Sequence, residues 1–468
     1  MIDRARGTLG SAVERGRLQP VRNLVRYARR PLDFLSGLAE RHGDVVEVPM
    51  IGARPWFMIN HPADIEELLI KRHADVGRDE YVQVLRRALG QGLLTSDGEL
   101  WRRQRKLASA AFTPRRIRTY ADAMVRVAEV AIAPWREGQV VNLHEELSRI
   151  TMEVVAEVLF GASVGARDVA AVRRSMEVIN RFFANSPEAI LRVPAWFPTP
   201  LNRAMNRAVA RIDELVFQIL EGRRAGPPRD DLLGSLLDAR DDDGRGMSDR
   251  QLRDETITLF LAGHETTALA LAAVFYLLAK HPAEEARLHA ELDAVLGGRL
   301  PTEADVAALP RTGQVLKEAM RLFPPAWVSG REVTRSFALA GRTLPVGAQI
   351  LFSQWVVHRD PRWYPDPEAF VPDRWAGEAP KARPRFAYFP FGGGPRVCIG
   401  NHFATMEATL LIATIASRFH LELLPNERLE LAPSVTLRPR GGGVRVRVRE
   451  RAAPRAAVDR RADASAAR

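Results

Sequence analysis

The chain has 468 residues, 46% of them hydrophobic and 27% charged, which is the composition of a soluble globular protein with a large core. Its single cysteine, Cys398, excludes an intramolecular disulfide and any metal site built from several cysteines. The net charge of +11 lies at the ends, with +6 on residues 1–31, +7 on 438–468 and −2 between them, which argues against a nucleic-acid-binding face.

The predicted elements are mainly helices. Apolar runs broken by glycine and proline predict a β-hairpin over 43–60. Apolar residues at helical spacing predict the following helices, with Ser248 as the N-cap of the longest: 61–73, 99–111, 113–135, 143–161, 166–185, 199–223 and 250–280.

The second half of the chain adds short strands. Residues 330–357 are strand-like, 359–390 are proline-rich coil and 401–418 form a helix. The alternation in RPRGGGVRVRVRE (438–450) predicts a closing strand pair. The fold class is therefore mainly α with small β-sheets. We expect one domain over 1–450 with an irregular lead (1–20), followed by a disordered basic tail (451–468).

No segment predicts a membrane anchor. The apolar run at 266–279 is shorter than the ~20 residues that a transmembrane helix needs. The N-terminus lacks the apolar core of a signal peptide. We therefore expect a soluble, cytoplasmic protein.

The cysteine lies in an unusual frame, FGGGPRVCIG (391–400), just before a predicted helix. A thiolate is stabilised at a helix N-terminus, and glycines allow backbone to approach the sulfur closely. A small buried cysteine would explain Cys398 alone, but it would leave the glycine-proline-arginine frame unexplained.

Two further motifs carry charged or hydroxyl groups. LAGHETTALAL (261–271) places Glu265 and Thr266 within an apolar helix. It is not a zinc-protease motif, because Ala268 stands where the second histidine is required. A buried threonine bonded to its own helix is the alternative. In KEAMRLFP (317–324), Glu318 and Arg321 are spaced to pair on one helix face, and alone they would indicate only a surface ion pair.

In this order the motifs AGHETT, EAMR and FGGGPRVC resemble those of the cytochrome P450 family of heme-thiolate monooxygenases. FVPDRW (370–375) and WRRQRK (101–106) are similar to two further motifs of that family. The resemblance implies the cytochrome P450 fold, with heme b between the long central helix and the helix after the cysteine loop.

The resemblance assigns the cofactor contacts. Cys398 would be the axial thiolate ligand of the heme iron, a ligand that favours O–O bond cleavage. Phe391 would pack near the sulfur. The expected propionate partners are Arg396, Trp101, Arg105 and, on a weaker match, Arg331. Glu318, Arg321 and Arg374 would form the family's structural triad, which is costly to break because a lost partner leaves buried charge unpaired.

The resemblance also assigns the reaction. Glu265 and Thr266 match the acid–alcohol pair that delivers protons during oxygen activation. One oxygen atom from O2 would enter a hydrophobic organic substrate by hydroxylation or epoxidation. The mostly apolar residues expected to line the substrate pocket are Ala88, Leu89, Leu261, Ala262, Ala326, Trp327, Val328, Ser434 and Val435.

Electrons are expected from separate proteins, because no flavin or iron–sulfur segment is evident in the sequence. Arg102, Arg103, Arg105 and Lys106 make the 101–106 helix basic, which would steer an acidic ferredoxin, supplied by its reductase, or a flavodoxin. A solvated surface helix is the alternative. Two other functions stay open: a hydrogen-peroxide-driven peroxygenase, and a heme-thiolate binding or sensing protein without turnover. The Glu265–Thr266 pair argues against both.

Overall fold

Helices make up most of the computed structural model, which describes residues 18–52, 54–161, 166–185, 193–227 and 229–451. Several helices begin with proline. Proline has no backbone N–H, and the N–H groups of a first helical turn have no acceptor within the helix, so no hydrogen bond is lost there. The α-helices within these residues are α1 (Gln19–Arg29), α2 (Pro31–His42), α3 (Pro62–Glu66, continued by a π-helical turn over Glu67–Lys71), α4 (Glu80–Leu89), α5 (Gly98–Ser109), α6 (Pro114–Arg118), α7 (Ala121–Ile132), α8 (Leu143–Phe160), α9 (Ala166–Asn185), α10 (Pro200–Ala225), α11 (Leu232–Asp238), α12 (Asp249–Lys280), α13 (Pro282–Leu296), α14 (Pro310–Leu322), α15 (Gln354–Val357) and α16 (Asn401–Arg418).

Helix α12 is the central element of the core. Ser248 caps it as predicted, in a capping box with Gln251. Within the described residues it is the one helix long and apolar enough to cross a membrane, but 72% of its most apolar stretch is buried inside the protein. A helix that is apolar on all sides belongs in a core. Helix α12 packs mainly against α8, α14 and α10.

Short strands form small sheets at the periphery of the helical core. The largest has the order β1-β2-β8-β5-β3, in which only the β2–β8 pair is parallel; the others are β4-β12-β9, β6-β7 and β10-β11, all antiparallel. The strands are β1 (Val45–Val48), β2 (Trp56–Ile59), β3 (Val76–Gly77), β4 (Val140–Asn142), β5 (Ser329–Val333), β6 (Phe337–Leu339), β7 (Arg342–Leu344), β8 (Gln349–Phe352), β9 (Phe419–Leu423), β10 (Leu431–Pro433), β11 (Leu437–Pro439) and β12 (Arg445–Glu450).

The structure corrects three local predictions. The helix expected over 113–135 is broken at Thr119–Tyr120, where Tyr120 packs against the Phe403 ring. The strand pair expected over 438–450 is wrong: β11 pairs with β10, whereas β12 pairs with β4 and β9. The 441–443 glycines, all at positive φ, separate the two sheets. Helix α1 begins inside the expected irregular lead, and residues 1–17 and 452–468 lie outside the described residues.

Candidate functional site

The cysteine loop is built around backbone conformations that require glycine. Gly392 and Gly394 have φ values of +71° and +67°. A Cβ on Gly394 would also overlap the backbone carbonyl of Leu69. The Cys398 amide donates to the Phe391 carbonyl oxygen (3.0 Å), which closes the loop before α16 begins. The Gly400 N–H, at the start of α16, donates to the Cys398 sulfur.

The thiol faces a hollow inside the protein. Cys398 is exposed, yet burial raises its pKa, and the Gly400 N–H and nearby Arg105 oppose that rise. On α12, Ala262 is also exposed, although the residues at 264 and 265 are buried. Ile399 and Leu261, the neighbours of these two exposed residues, belong to one apolar cluster. Both α12 and the cysteine loop therefore border the same apolar cluster.

Arginines gather beside this hollow. Arg396 binds an Asp97 carboxylate oxygen (2.5 Å) and the Ser96 carbonyl oxygen (3.1 Å), and its guanidinium lies 4.2 Å from the centre of the Trp101 ring. Arg331 is buried and donates to the Gly330 carbonyl oxygen (2.6 Å). Both arginines lie within electrostatic range of Asp97.

A third arginine, Arg78, joins this group and was not predicted. Burial, followed by the charges of Arg331 and Arg396, lowers its pKa. Its Nε atom is buried and has no hydrogen-bond partner among the described residues. Burial also lowers the pKa of Arg331, and it lowers that of Arg396 to about 10. Two carboxylates, Asp79 and Asp97, act in the opposite direction on the pKa of Arg78.

These residues fit the heme that the resemblance implies. An accessible thiol with one N–H donor borders an apolar hollow. Among the described residues, the three arginines gather around Asp79 and Asp97, and one arginine nitrogen is buried without a hydrogen-bond partner. A group with an apolar body, a metal that binds thiolate and acidic side arms matches that set of donors.

The acid–alcohol pair has partners within the protein. Burial opposes ionisation of Glu265, but Arg438 and Thr436 outweigh it and hold the pKa of Glu265 below its ordinary value. The Arg438 Nε lies 2.5 Å from Glu265 Oε1, and the Thr436 hydroxyl donates to the same oxygen. Thr266 donates to the Ala262 carbonyl oxygen (2.8 Å), the helix bond considered as an alternative. Sequence spacing gave no signal for Arg438, which is 173 residues from Glu265.

A second buried carboxyl group lies behind the pair. The Thr267 hydroxyl donates to Glu407 of α16 (3.2 Å), and Glu407 is fully buried. Burial raises the pKa of Glu407 to about 8 despite this bond. Glu407 is therefore a neutral acid at pH 7. It too was missed, because an acid inside an apolar helix belongs to none of the recognised motifs.

The structure brings the three residues of the predicted triad together. Both oxygens of Glu318 bind Arg321, at 2.9 and 2.8 Å, and the Arg374 Nε lies 3.3 Å from Glu318. Arg321 also donates to three backbone carbonyl oxygens of the 358–369 segment. The Trp375 indole N–H donates to Glu318 (2.8 Å). This network fixes the proline-rich segment against α14.

The predicted pocket residues fall into two groups. Ala88, Leu89, Leu261 and Val435 pack in the cluster that contains Ile399. Trp327 and Val328 belong to a separate cluster with α2 and β1. The Trp327 indole donates to the Ser434 carbonyl oxygen (2.9 Å), so Trp327 anchors the β10–β11 hairpin. Ala262 is exposed, and Ala326 is partly buried beside Trp327.

The basic helix α5 is less basic at its surface than the sequence suggests. Arg103 binds Asp241 (2.7 Å) and Lys106 binds Asp242 (2.5 Å), both in the loop before α12. Arg102 pairs with Glu99 on its own helix. Arg105 lies near Cys398 instead. Three of the four charges are therefore paired within the chain, and steering of an acidic redox partner by this helix stays a prediction.

Known proteins share this arrangement over nearly the whole chain. The family model described as Cytochrome P450 matches residues 17–444. Cyclooctatin synthase from Streptomyces melanosporofaciens is 38% identical, covering 88% of this chain and 90% of that protein. Pentalenene oxygenase from Streptomyces avermitilis is 36% identical, covering 85% and 88%. Retinoic acid-bound cyanobacterial CYP120A1 superposes with a TM-score of 0.79 at 28% identity, covering 90% of this chain and 94% of that one.

The fold and the site thus define a heme-binding, oxygen-incorporating oxidoreductase. The chain belongs to the cytochrome P450 family. It is a heme-thiolate monooxygenase that inserts one oxygen atom from O2 into a hydrophobic organic substrate, with electrons supplied by redox partners.

Proposed function

We propose that Cys398 would bind the heme iron through its thiolate, and that Arg396, Arg331, Arg105, Trp101 and the unpredicted Arg78 would hold the propionates. The observation that carries this proposal is an exposed thiol inside the fold, held by a glycine-rich loop at the start of α16 and close to Arg105. Bound heme supplies O2 activation. The Gly400 N–H stabilises the thiolate charge, and Phe391 packs at the edge of the core beside the loop.

Glu265 and Thr266 are proposed to move protons at the oxygen-binding face of α12. The Thr266 hydroxyl is partly exposed towards the hollow and holds its own proton against the Ala262 carbonyl oxygen. Glu265 is ionised and buried, which suits a group that accepts a proton from outside and passes it on. Release of the Glu265 carboxylate from Arg438 would free its Oε1 atom for this transfer.

The proposed substrate is a terpene-like hydrocarbon or alcohol. Relatives named cyclooctat-9-en-7-ol 5-monooxygenase and pentalenene oxygenase support this class. The apolar cluster around Leu261 and Val435 would contact such a substrate without polar recognition. We further propose a cytoplasmic enzyme that receives electrons from a ferredoxin or flavodoxin.

Two measurements test these roles. A reduced carbon-monoxide difference spectrum should show the heme-thiolate Soret band in the wild type and lose it in Cys398→Ser. Thr266→Ala should sharply lower the product formed per NADPH consumed, because losing a positioned proton-transfer group slows its step by about 100-fold or more. Thr267→Ala, one residue away and bonded to Glu407, is the matched control and should stay coupled. Equal coupling in Thr266→Ala and wild type would remove Thr266 from the mechanism.

A comparison of turnover with hydrogen peroxide and turnover with the redox chain separates the peroxygenase alternative. A monooxygenase needs the redox chain, and its peroxide-supported turnover should be slow. If hydrogen peroxide alone supported faster turnover than the full redox chain, the peroxygenase function would replace the one proposed.

A further inference from the structure

Helix α1 carries an apolar stripe that faces away from the protein. Leu18, just before the helix, and Val21 and Val25 share one face and are 64%, 48% and 43% exposed. The opposite face is held firmly, because buried Asn23 donates to the Pro49 carbonyl oxygen (2.8 Å). The stripe is therefore a fixed part of the surface.

Arginines flank this stripe. Helical spacing places Arg22, Arg26 and Arg29 together along one side of it. Residues 18–31 contain four arginines and no acid. Among the described residues, these three arginines form no ion pair, unlike exposed Arg445, which binds Glu427 (2.7 Å). The surface is thus both apolar and strongly positive.

The β1–β2 turn, which binds α1 through Pro49, carries one further exposed apolar side chain. Ile51, two residues after Pro49 in the β1–β2 turn, is 57% exposed. Beneath α1, Tyr27 packs into the cluster that contains Trp327 and Val328. The inner face of α1 therefore packs against the cluster that contains Trp327 and Val328.

We propose that this patch, comprising Leu18, Val21, Val25, Ile51, Arg22, Arg26 and Arg29, binds reversibly to the surface of an anionic lipid bilayer. Aliphatic side chains gain by entering the acyl boundary, while arginines bind lipid phosphates. Charge complementarity alone would also suit nucleic acid, but exposed aliphatic residues add nothing to binding phosphates in water.

Vesicle co-sedimentation of the full-length holoenzyme tests the proposal. Wild type should bind vesicles containing phosphatidylglycerol and phosphatidylcholine about 100-fold more tightly than pure phosphatidylcholine, and lose most of this preference at high salt. Arg22→Gln/Arg26→Gln/Arg29→Gln should abolish the preference. Leu18→Ser/Val21→Ser/Val25→Ser should weaken binding about tenfold or more.

Matched variants elsewhere on the surface control for charge and apolarity. Arg115→Gln/Arg118→Gln/Arg203→Gln removes three exposed arginines, and Val130→Ser/Val140→Ser removes two exposed valines. Both should bind like wild type, as should a variant lacking residues 1–17. Equal binding to both vesicle types, equal loss in the controls, or loss only on removing 1–17 would overturn the proposal. So would equally tight binding to duplex DNA that ignores the serine substitutions.

Discussion

The ion pair between Glu265 and Arg438 gives a prediction whose size follows from its burial. Removing one member of a fully buried pair costs about 3–5 kcal/mol. Here 5% of the Glu265 side chain and 30% of the Arg438 side chain are exposed. Water replaces part of the lost interaction, so Arg438→Gln should lower the free energy of unfolding by about 2–3 kcal/mol at pH 7.

The cost should depend on pH with a defined sign. In the wild type the lowered pKa of Glu265 stabilises the fold above the ordinary pKa of a carboxyl group, and this contribution is lost as the pH falls. Without Arg438, burial dominates and raises the pKa of Glu265. The variant therefore becomes less stable as the pH rises. The difference between wild type and Arg438→Gln should be larger at pH 7.5 than at pH 5.

Urea denaturation followed by circular dichroism measures this difference. Arg440→Gln is the matched control, because Arg440 follows the same hairpin, is 64% exposed and lies 3.9 Å from Glu430; its cost should stay below about 0.5 kcal/mol. A double-mutant cycle with Glu265→Gln should give a coupling of at least about 1 kcal/mol. Zero coupling, or a cost that ignores pH, would refute the reasoning.

Two other substitutions test buried features of the same region. Because burial raises the pKa of Glu407 to about 8, the free energy of unfolding of the wild type should fall between pH 5 and pH 8. Glu407→Gln does not ionise and should not show this loss. Urea denaturation at both pH values should therefore show the variant gaining at least about 1 kcal/mol in the free energy of unfolding, relative to wild type, on going from pH 5 to pH 8. Gly394→Ala should strongly lower the heme content per protein, because its Cβ meets the Leu69 carbonyl, whereas Gly392→Ala has only a positive φ to accommodate and should retain most of its heme. Equal heme content in both glycine variants would contradict the collision.

Sequence reasoning succeeded where the signal is local. The capping box at Ser248, the hairpin around 45–59 and helix α16 were predicted from neighbouring residues. It failed at the C-terminal strands, where partners lie far away in the chain. The arginine-rich helix α1 was missed although its apolar and charged residues recur at helical spacing.

The site shows the same division. Motif spacing predicted Cys398 and the triad, and the structure places the triad residues around Glu318. It gave no indication of Arg78 or Arg438. Their importance depends on burial and on which charges lie nearby in space, and the neighbouring residues in the sequence predict neither.

The β10–β11 hairpin has a consequence for altering this enzyme. Its turn carries Ser434 and Val435, expected at the substrate, and Thr436 and Arg438 follow immediately and bind Glu265. A chimera that takes this hairpin from a relative to change substrate choice would also replace the partners of the carboxylate. Substrate selectivity and the coupling of electron use to product formation would therefore change together, and a successful graft must retain Thr436 and Arg438.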